Sequence, residues 1–242
     1  MDKIPSGFDS ADFHCERRFA IAKDGVKIPI SVFSHKSVGT SDPAPLYLYG
    51  YGSYGYGLEP SFVRNWVVLA RRGFRVAVAH IRGGDDCGRE WYETGKLATK
   101  KNTFHDFIAC AEHFVEAKLA DPKQIVAAGG SAGGMLMGVV ANERPDLFRL
   151  ICAHVPFVDC VTTMLDDSLP LTAGEYNEWG NPNHKEDYFR IKEYSPYDNV
   201  KSQAYPAMYV TSGLNDPRVT YWEPTKWVAR LRELNRSEAP IL

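Results

Sequence analysis

No run in this 242-residue chain approaches the roughly 20 consecutive apolar residues that a membrane-crossing helix needs. The opening stretch MDKIPSGFDSADFH lacks the apolar core of a secretory leader. A surplus of one charge is missing too. Lys and Arg total 28 against 30 Asp and Glu, a formal net charge of −2, so nothing suggests a nucleic-acid or anionic-membrane partner. The five cysteines (Cys15, Cys87, Cys110, Cys152, Cys160) are odd in number and show no C-x-x-C spacing. That argues against a disulfide framework and a structural zinc site, and for reduced, buried or idle thiols in a cytoplasmic setting. Internal repeats and long linkers are absent. What remains, 44% hydrophobic and 24% charged, is ordinary globular composition at a length for one large or two small domains.

The pattern that is present alternates strands and helices. VKIPISVF (26–33) alternates apolar and polar like an early antiparallel strand. APLYLYG, FRVAVAH, KQIVAAGG, RLICAHVP and PAMYVTSG are short apolar runs that read as buried strands. Between them, FVRNWVVLARRG places Phe62, Trp66, Leu69 and Ala70 on one helical face, with Gly73 as its stop. NTFHDFIACAEHFVEAK has helical spacing, with Asn102 or Thr103 as its expected cap. AGGMLMGVVANERP reads as a helix ended by Pro145, and PTKWVARLREL as a helix beginning near Pro224. Such alternation implies a mainly parallel sheet with helices on both faces. The stretch 159–203 is rich in Asp, Asn, Pro, Tyr and Glu. It reads as an irregular or short-helical excursion at the sheet's C-terminal rim.

Four glycines crowd one serine at the junction of the third buried strand and its helix. Gly129-Gly130-Ser131-Ala132-Gly133 matches G-x-S-x-G between a strand and a helix, the context of a nucleophile elbow. A sharp turn there holds the serine in a backbone conformation costing about 1–3 kcal/mol. Gly129 and Gly133 are expected to avoid collisions across the turn, and Gly130 and Gly134 to bring helix and sheet close. Ser131 then projects at a helix N-terminus whose N–H groups can stabilise an oxyanion.

In this architecture a carboxylate and then a histidine follow the serine along the chain. Asp216, in YVTSGLNDPRVT, comes just after a strand, and is expected on a strand end neighbouring that of Ser131. A plain Asn-Asp-Pro turn remains the alternative reading, and Asp159, Asp166, Asp167 and Asp198 are rivals that follow no clean strand. The seven histidines (His14, His35, His80, His105, His113, His154, His184) all precede Asp216. None has the expected order. The closing SEAPIL reads as the start of a last strand, so a chain incomplete at its C-terminus, lacking its general base, is expected.

LYGYGSYGYGLEPSF, HIRGGDDCGREWYETGK, NTFHDF, GGSAGGMLMG, NERPDLF, VPFVD, LTAGEYNEWGNP, YSPYDNV and SGLNDPRVTYWEP together resemble the catalytic domain of the prolyl oligopeptidase family of serine peptidases. The likeness runs from about residue 15 to 235 and is nearest to the oligopeptidase B branch, which cuts after arginine and lysine. It implies an α/β-hydrolase fold over residues 1–242, with no cofactor or metal. Ser131 would be the nucleophile and Asp216 the orienting acid. Tyr51 and the Ala132 N–H would form the oxyanion hole. Arg218 would bond the substrate backbone, or alternatively pair with Asp216. Glu175 would receive the basic side chain, as a carboxylate can hold a guanidinium through both oxygens. Phe157 would stack on that side chain or belong to the core. Glu59 falls where relatives carry an acidic second-subsite residue.

Two departures qualify the likeness. Many members carry a second carboxylate two residues after the first, where this chain has Asn177. Glu178 next to it would point elsewhere in an extended segment. The family's N-terminal β-propeller is also expected in the parent protein, since these residues contain no such repeats. The implied partners are short basic peptides, with neither nucleic acid nor membrane. A glycine-rich phosphate loop at YGYGSYGYG is discounted, for it lacks the P-loop lysine and the G-x-G-x-x-G helix start. A carboxylesterase of the same fold and an inactive binding fragment are the other readings.

Overall fold

Short apolar runs bounded by Gly and Pro cross the core once each, and the helical stretches between them carry the chain back. The computed structural model describes residues 8–59 and 61–242. Residues 1–7 of the opening stretch and Pro60 of the LYGYGSYGYGLEPSF segment lie outside them. The first half contains β1 (Phe13–Ile21), β2 (Lys27–His35), β3 (Leu46–Tyr49), α1 (Arg64–Arg71), β4 (Arg75–Ala79), α2 (Arg89–Glu93) and α3 (Lys101–Glu116). After these come β5 (Ile125–Gly130), α4 (Ala132–Glu143), β6 (Leu150–His154), α5 (Cys160–Leu165), α6 (Tyr176–Trp179) and α7 (Lys185–Tyr194). The series ends with β7 (Ala207–Thr211) and α8 (Trp222–Leu234).

One seven-stranded sheet runs in the order β1-β2-β4-β3-β5-β6-β7. β1 pairs antiparallel with β2, and β2 with β4. From β4 through β3, β5 and β6 to β7 every pair is parallel. Alternate residues of β3 show how both faces are covered. Tyr49 meets Trp66 of α1 at 5.8 Å between rings on one face. Leu46 and Leu48 are fully buried on the other, where Phe107 of α3 and Leu136 of α4 crowd Gly50. Trp227 of α8 approaches Gly138 of α4, so α8 shares that second face. This is the expected α/β-hydrolase arrangement of a mostly parallel sheet between helices.

The topology also says where a site belongs. From β3 the chain steps to β4 on one side, then returns past β3 to build β5, β6 and β7 on the other. A crevice opens at the carboxyl ends of strands where the order reverses. Tyr51 follows β3 and Ser131 follows β5, so both stand at that point.

Several local expectations are corrected. β1 carries four charged or His residues in FHCERRFAI and was not expected, since its pairing to β2 stabilises it more than its own pattern does. α3 begins at Lys101 with no side-chain cap. Asn102 instead donates to Thr94 O, and Thr103 to Arg82 O. Phe62 lies before α1 and is exposed, while Ala70 is buried. The 159–203 excursion does hold short helices, α5 to α7. Pro240 to Leu242, read as a strand start, bond to β7: Met208 N–H donates to Pro240 O at 2.9 Å, and Val210 N–H to Leu242 O at 2.8 Å. Cys15 and Cys87 are exposed and all five thiols are free. Among the described residues no helix is long and apolar enough to cross a membrane.

Candidate active site

Ser131 sits between β5 and α4 with φ 55° and ψ −117°. A non-glycine residue rarely adopts such a backbone, and holding it costs about 1–3 kcal/mol. Four contacts hold it. Ser131 N–H donates to His154 O at 2.9 Å, and Ser131 O accepts from Gly134, Met135 and Phe157 N–H at 2.9, 3.1 and 3.1 Å. The glycines divide in two. A Cβ on Gly129 would lie 2.3 Å from Gly133 O, one on Gly133 2.8 Å from Gly50 O, and one on Gly134 2.5 Å from Pro156. Gly130 differs from expectation: its Cβ would meet nothing closer than His154 O at 3.4 Å, an ordinary contact.

Tyr51 leans on this turn, its ring 3.3 Å from where a Gly133 Cβ would be. Its hydroxyl faces the Ser131 side chain, and burial, with lesser help from Tyr49, Glu175 and Glu178, pushes its pKa up to about 12. It therefore remains a protonated donor at neutral pH. Ala132 opens α4 beside it, where a first-turn N–H has no partner within the helix. Both groups stand beside the serine.

A cleft of about 330 Å³ opens over Ser131, with Tyr51, Tyr54, Phe157, Glu175 and Arg218 on its walls. Phe157 is nearly buried, its ring 5.6 Å from that of Trp179, so it is both core and wall. Glu175 ends a 3-10 turn, Ala173–Glu175, just before α6. Its Oε2 accepts from Trp179 Nε1 at 2.7 Å and from the Tyr54 hydroxyl at 3.1 Å. Both lone pairs of that oxygen are thereby used, leaving Oε1 for a visitor. A two-oxygen grip on a guanidinium then requires Tyr54 or Trp179 to yield.

The segment after Glu175 is helical, not extended. Asn177 is exposed and off the cleft, whereas Glu178 is buried. Glu178 accepts from Tyr54 N–H at 2.9 Å and Tyr92 hydroxyl at 2.8 Å. Lys100 Nζ lies 4.0 Å from Glu178, and donates to Gly52 O at 2.6 Å and Ser53 Oγ at 2.9 Å. Burial pulls Lys100 down to about 8, against the pull of Glu178. This buried pair pins the backbone between Tyr51 and Tyr54, and neither member was singled out in the sequence. Lys100 lay hidden in a lysine doublet whose partners are 48 and 78 residues away.

Asp216 follows β7, so β6 lies between its strand and that of Ser131, one strand further than expected. Its Oδ1 accepts from Arg218 N–H at 2.8 Å and Val219 N–H at 3.0 Å. Those bonds hold its pKa below the usual carboxylate value. The backbone of Arg218, not its guanidinium, binds Asp216. Pro217, Arg218 and Val219 line the cleft, and Asp216 does not. Among the described residues no histidine side chain hydrogen-bonds Ser131 or Asp216. The rival Asp159 is buried against Lys226, Oδ2 to Nζ 2.6 Å. Glu59 is exposed and does not line the cleft.

A second serine, outside the cleft, has what Ser131 lacks. Ser31 Oγ lies 2.7 Å from His80 Nε2, and His80 Nδ1 lies 2.6 Å from Asp86 Oδ1. That relay sits on β2, at the end of β4 and in the loop after it. It joins residues 49 apart that no local spacing connects.

Comparison with known proteins fits this geometry. Protease 2 of Moraxella lacunata is 51% identical over 95% of the chain, and dipeptidyl aminopeptidase BI of Pseudoxanthomonas mexicana 49% over 98%. Among solved structures, oligopeptidase B from Leishmania major superposes with a TM-score of 0.96 at 55% identity over 98% of the chain. Oligopeptidase B from Trypanosoma brucei, with covalently bound antipain, gives 0.95 at 51% over 98%. The chain spans about a third of the length of each, 33%. Residues 60–241 match the Prolyl oligopeptidase family. Strained serine, flanking tyrosine and parallel sheet are thus found in a sequence of matching kind, and the chain belongs to the prolyl oligopeptidase family.

Proposed function

We propose that this chain carries the catalytic serine of an oligopeptidase that cleaves short peptides after arginine or lysine. The observation that supports it is the strained Ser131 at φ 55°, opening into a cleft whose far wall holds Glu175. In this reading Ser131 Oγ attacks the scissile carbonyl while a histidine takes its proton. Tyr51 hydroxyl and Ala132 N–H receive the oxyanion. The protonated histidine then gives its proton to the leaving amine, and water hydrolyses the acyl-enzyme. Asp216 orients that histidine, which is supplied from outside these 242 residues. Glu175 Oε1 meets the basic side chain, Phe157 stacks on it, and Arg218 reaches the substrate backbone. Glu59, exposed and off the cleft, serves at most a second subsite completed by other parts of the parent protein. A β-propeller N-terminal to this domain and a cytoplasmic setting belong to the same proposal.

One observation favours a second reading. With no histidine bonded to Ser131 or Asp216 among the described residues, the chain by itself is read as a binding fragment that holds basic peptides without cutting them. An esterase is disfavoured, since an apolar acyl group gains nothing from Glu175. Affinity for a peptidyl arginine aldehyde and its leucine counterpart tests the proposal. The arginine compound binds more tightly, and Glu175→Ala removes the difference. Equal affinities in the native chain would reopen the esterase reading.

A further inference from the structure

Glu223, in the first turn of α8, is fully buried directly behind the cleft. A carboxylate there has left water, which is costly unless its oxygens are satisfied. Oε2 accepts from the backbone N–H groups of Val158 and Asp159, both at 3.0 Å, and Oε1 from Thr163 Oγ1 at 2.7 Å. These three donors belong to the loop and helix immediately after Phe157. The N–H of Glu223 donates to Thr220 O at 3.1 Å, in the turn that begins at Asp216. Phe157 and Thr163 line one side of the cleft, Arg218 and Thr220 the other. One buried side chain joins both, and no step of the proposed chemistry uses it.

We propose that Glu223 is a positioning residue, whose buried carboxylate fastens the wall bearing Phe157 and Thr163 to the wall bearing Arg218 and Thr220. The two walls then meet a basic peptide in register. This rests on the basic-peptide reading above, and deepens it by naming what holds the pocket together.

Burial, with a smaller push from Asp159, raises the Glu223 carboxyl to about 7 against its three hydrogen bonds. The charged and titratable groups facing it are Asp159 and Cys160 from the start of α5 and Lys226 from α8. Asp159 and Lys226 are paired at 2.6 Å, and against the effect of burial that bond holds the lysine pKa above its ordinary value. Burial holds the Cys160 thiol neutral. The Glu223 carboxyl, raised to about 7, changes charge near neutrality. As a carboxylate it accepts three charge-assisted bonds. Protonated, it keeps two weaker ones and turns its own O–H on Thr163, ending that hydroxyl's donation. A cation in the cleft also favours the carboxylate. Both effects make a basic ligand bind more tightly above pH 7 than below it.

Stability moves the other way. A carboxyl raised in the folded state favours the protonated form. Its contribution is present below the ordinary carboxyl pKa and lost as pH rises through about 7. A group that merely held the fold would move binding and stability together. This one moves them in opposite directions.

The test is calorimetric binding of acetyl-arginine amide and its uncharged analogue acetyl-citrulline amide to the full chain between pH 5.5 and 8.5. Native affinity for the arginine ligand falls by about fivefold on acidification, with a midpoint near 7, the low end of usual coupling between sites. The citrulline ligand shows a smaller fall. Glu223→Gln, which imitates the protonated acid, binds at the low-pH level throughout, and its melting temperature loses the decline through pH 7. Native pH dependence retained in Glu223→Gln, or a native chain with flat affinity, overturns the proposal. Should Glu223→Gln not fold, the carboxyl carbon resonance of native Glu223 decides. Saturating arginine ligand lowers its titration midpoint if the proposal holds, and an unmoved midpoint overturns it. Glu175→Ala is read separately: arginine affinity unchanged by it removes the pocket reading, while the Glu223→Gln comparison still stands on its own.

Discussion

Two serines in this molecule invite comparison. Ser31 has a complete hydrogen-bonded relay, 2.7 Å to His80 and 2.6 Å on to Asp86, yet it lies in the extended strand β2 and lines no part of the cleft. Ser131 has no histidine bonded to it among the described residues, yet it sits in a strained turn, beside a tyrosine hydroxyl and a helix start, over a cleft of about 330 Å³. A relay alone gives a substrate nowhere to sit and no donor for its oxyanion. An elbow alone prepares the place and awaits the base. The difference separates a network that holds structure from a site that holds a reaction. In the first, Asp86 also accepts from Leu58 N–H at 2.9 Å, tying the loop after Tyr51 to β2 and β4.

The largest expected effect follows directly. The chain hydrolyses arginyl chromogenic peptides negligibly, since loss of a triad base removes several orders of magnitude in rate. Turnover abolished by Ser131→Ala would show that another group serves as base. Turnover abolished by Ser31→Ala would break the comparison outright. Next in size is Glu175→Ala, which weakens arginine ligands by about 2–5 kcal/mol, toward the low end because only Oε1 is open. Lysine analogues suffer nearly as much, as a single oxygen gives the guanidinium fork little advantage. A larger loss for arginine than lysine, measured calorimetrically, would mean that Tyr54 or Trp179 gives way. Then comes His80→Ala. It removes the side-chain partner of a nearly buried Asp86, leaving it only the Leu58 N–H, and destabilises by about 1–3 kcal/mol in denaturant unfolding. Arginine-ligand affinity stays unchanged, and a fall in affinity at equal stability would make the relay part of the site. The smallest effect is Gly130→Ala, within about 0.5 kcal/mol, against severe loss in Gly129→Ala.

What the sequence made legible was local. The elbow is five consecutive residues, and the buried strands are runs bounded by Gly and Pro, so spacing alone revealed them. The order of Ser131 and Asp216 along alternating strands and helices placed both at the sheet's edge, while Tyr51 was singled out by the family resemblance alone. What stayed hidden depends on contacts between distant segments. The role of Gly130 was misjudged because its neighbour, His154 on β6, is far along the chain. Glu178 was dismissed on the assumption of extended backbone, and α6 turns it inward to Tyr54, Tyr92 and Lys100. β1 went unseen because its charged residues obscure a pattern completed only by pairing with β2.

In the proposed function Ser131, and not the fully relayed Ser31, is the serine that meets substrate. The most direct test is to incubate the chain with an arginyl phosphonate ester and locate the adduct by peptide mass spectrometry. A slow adduct on Ser131 is expected, suppressed by acetyl-arginine amide and weakened by Glu175→Ala. An adduct on Ser31, or one on Ser131 indifferent to both, would contradict it.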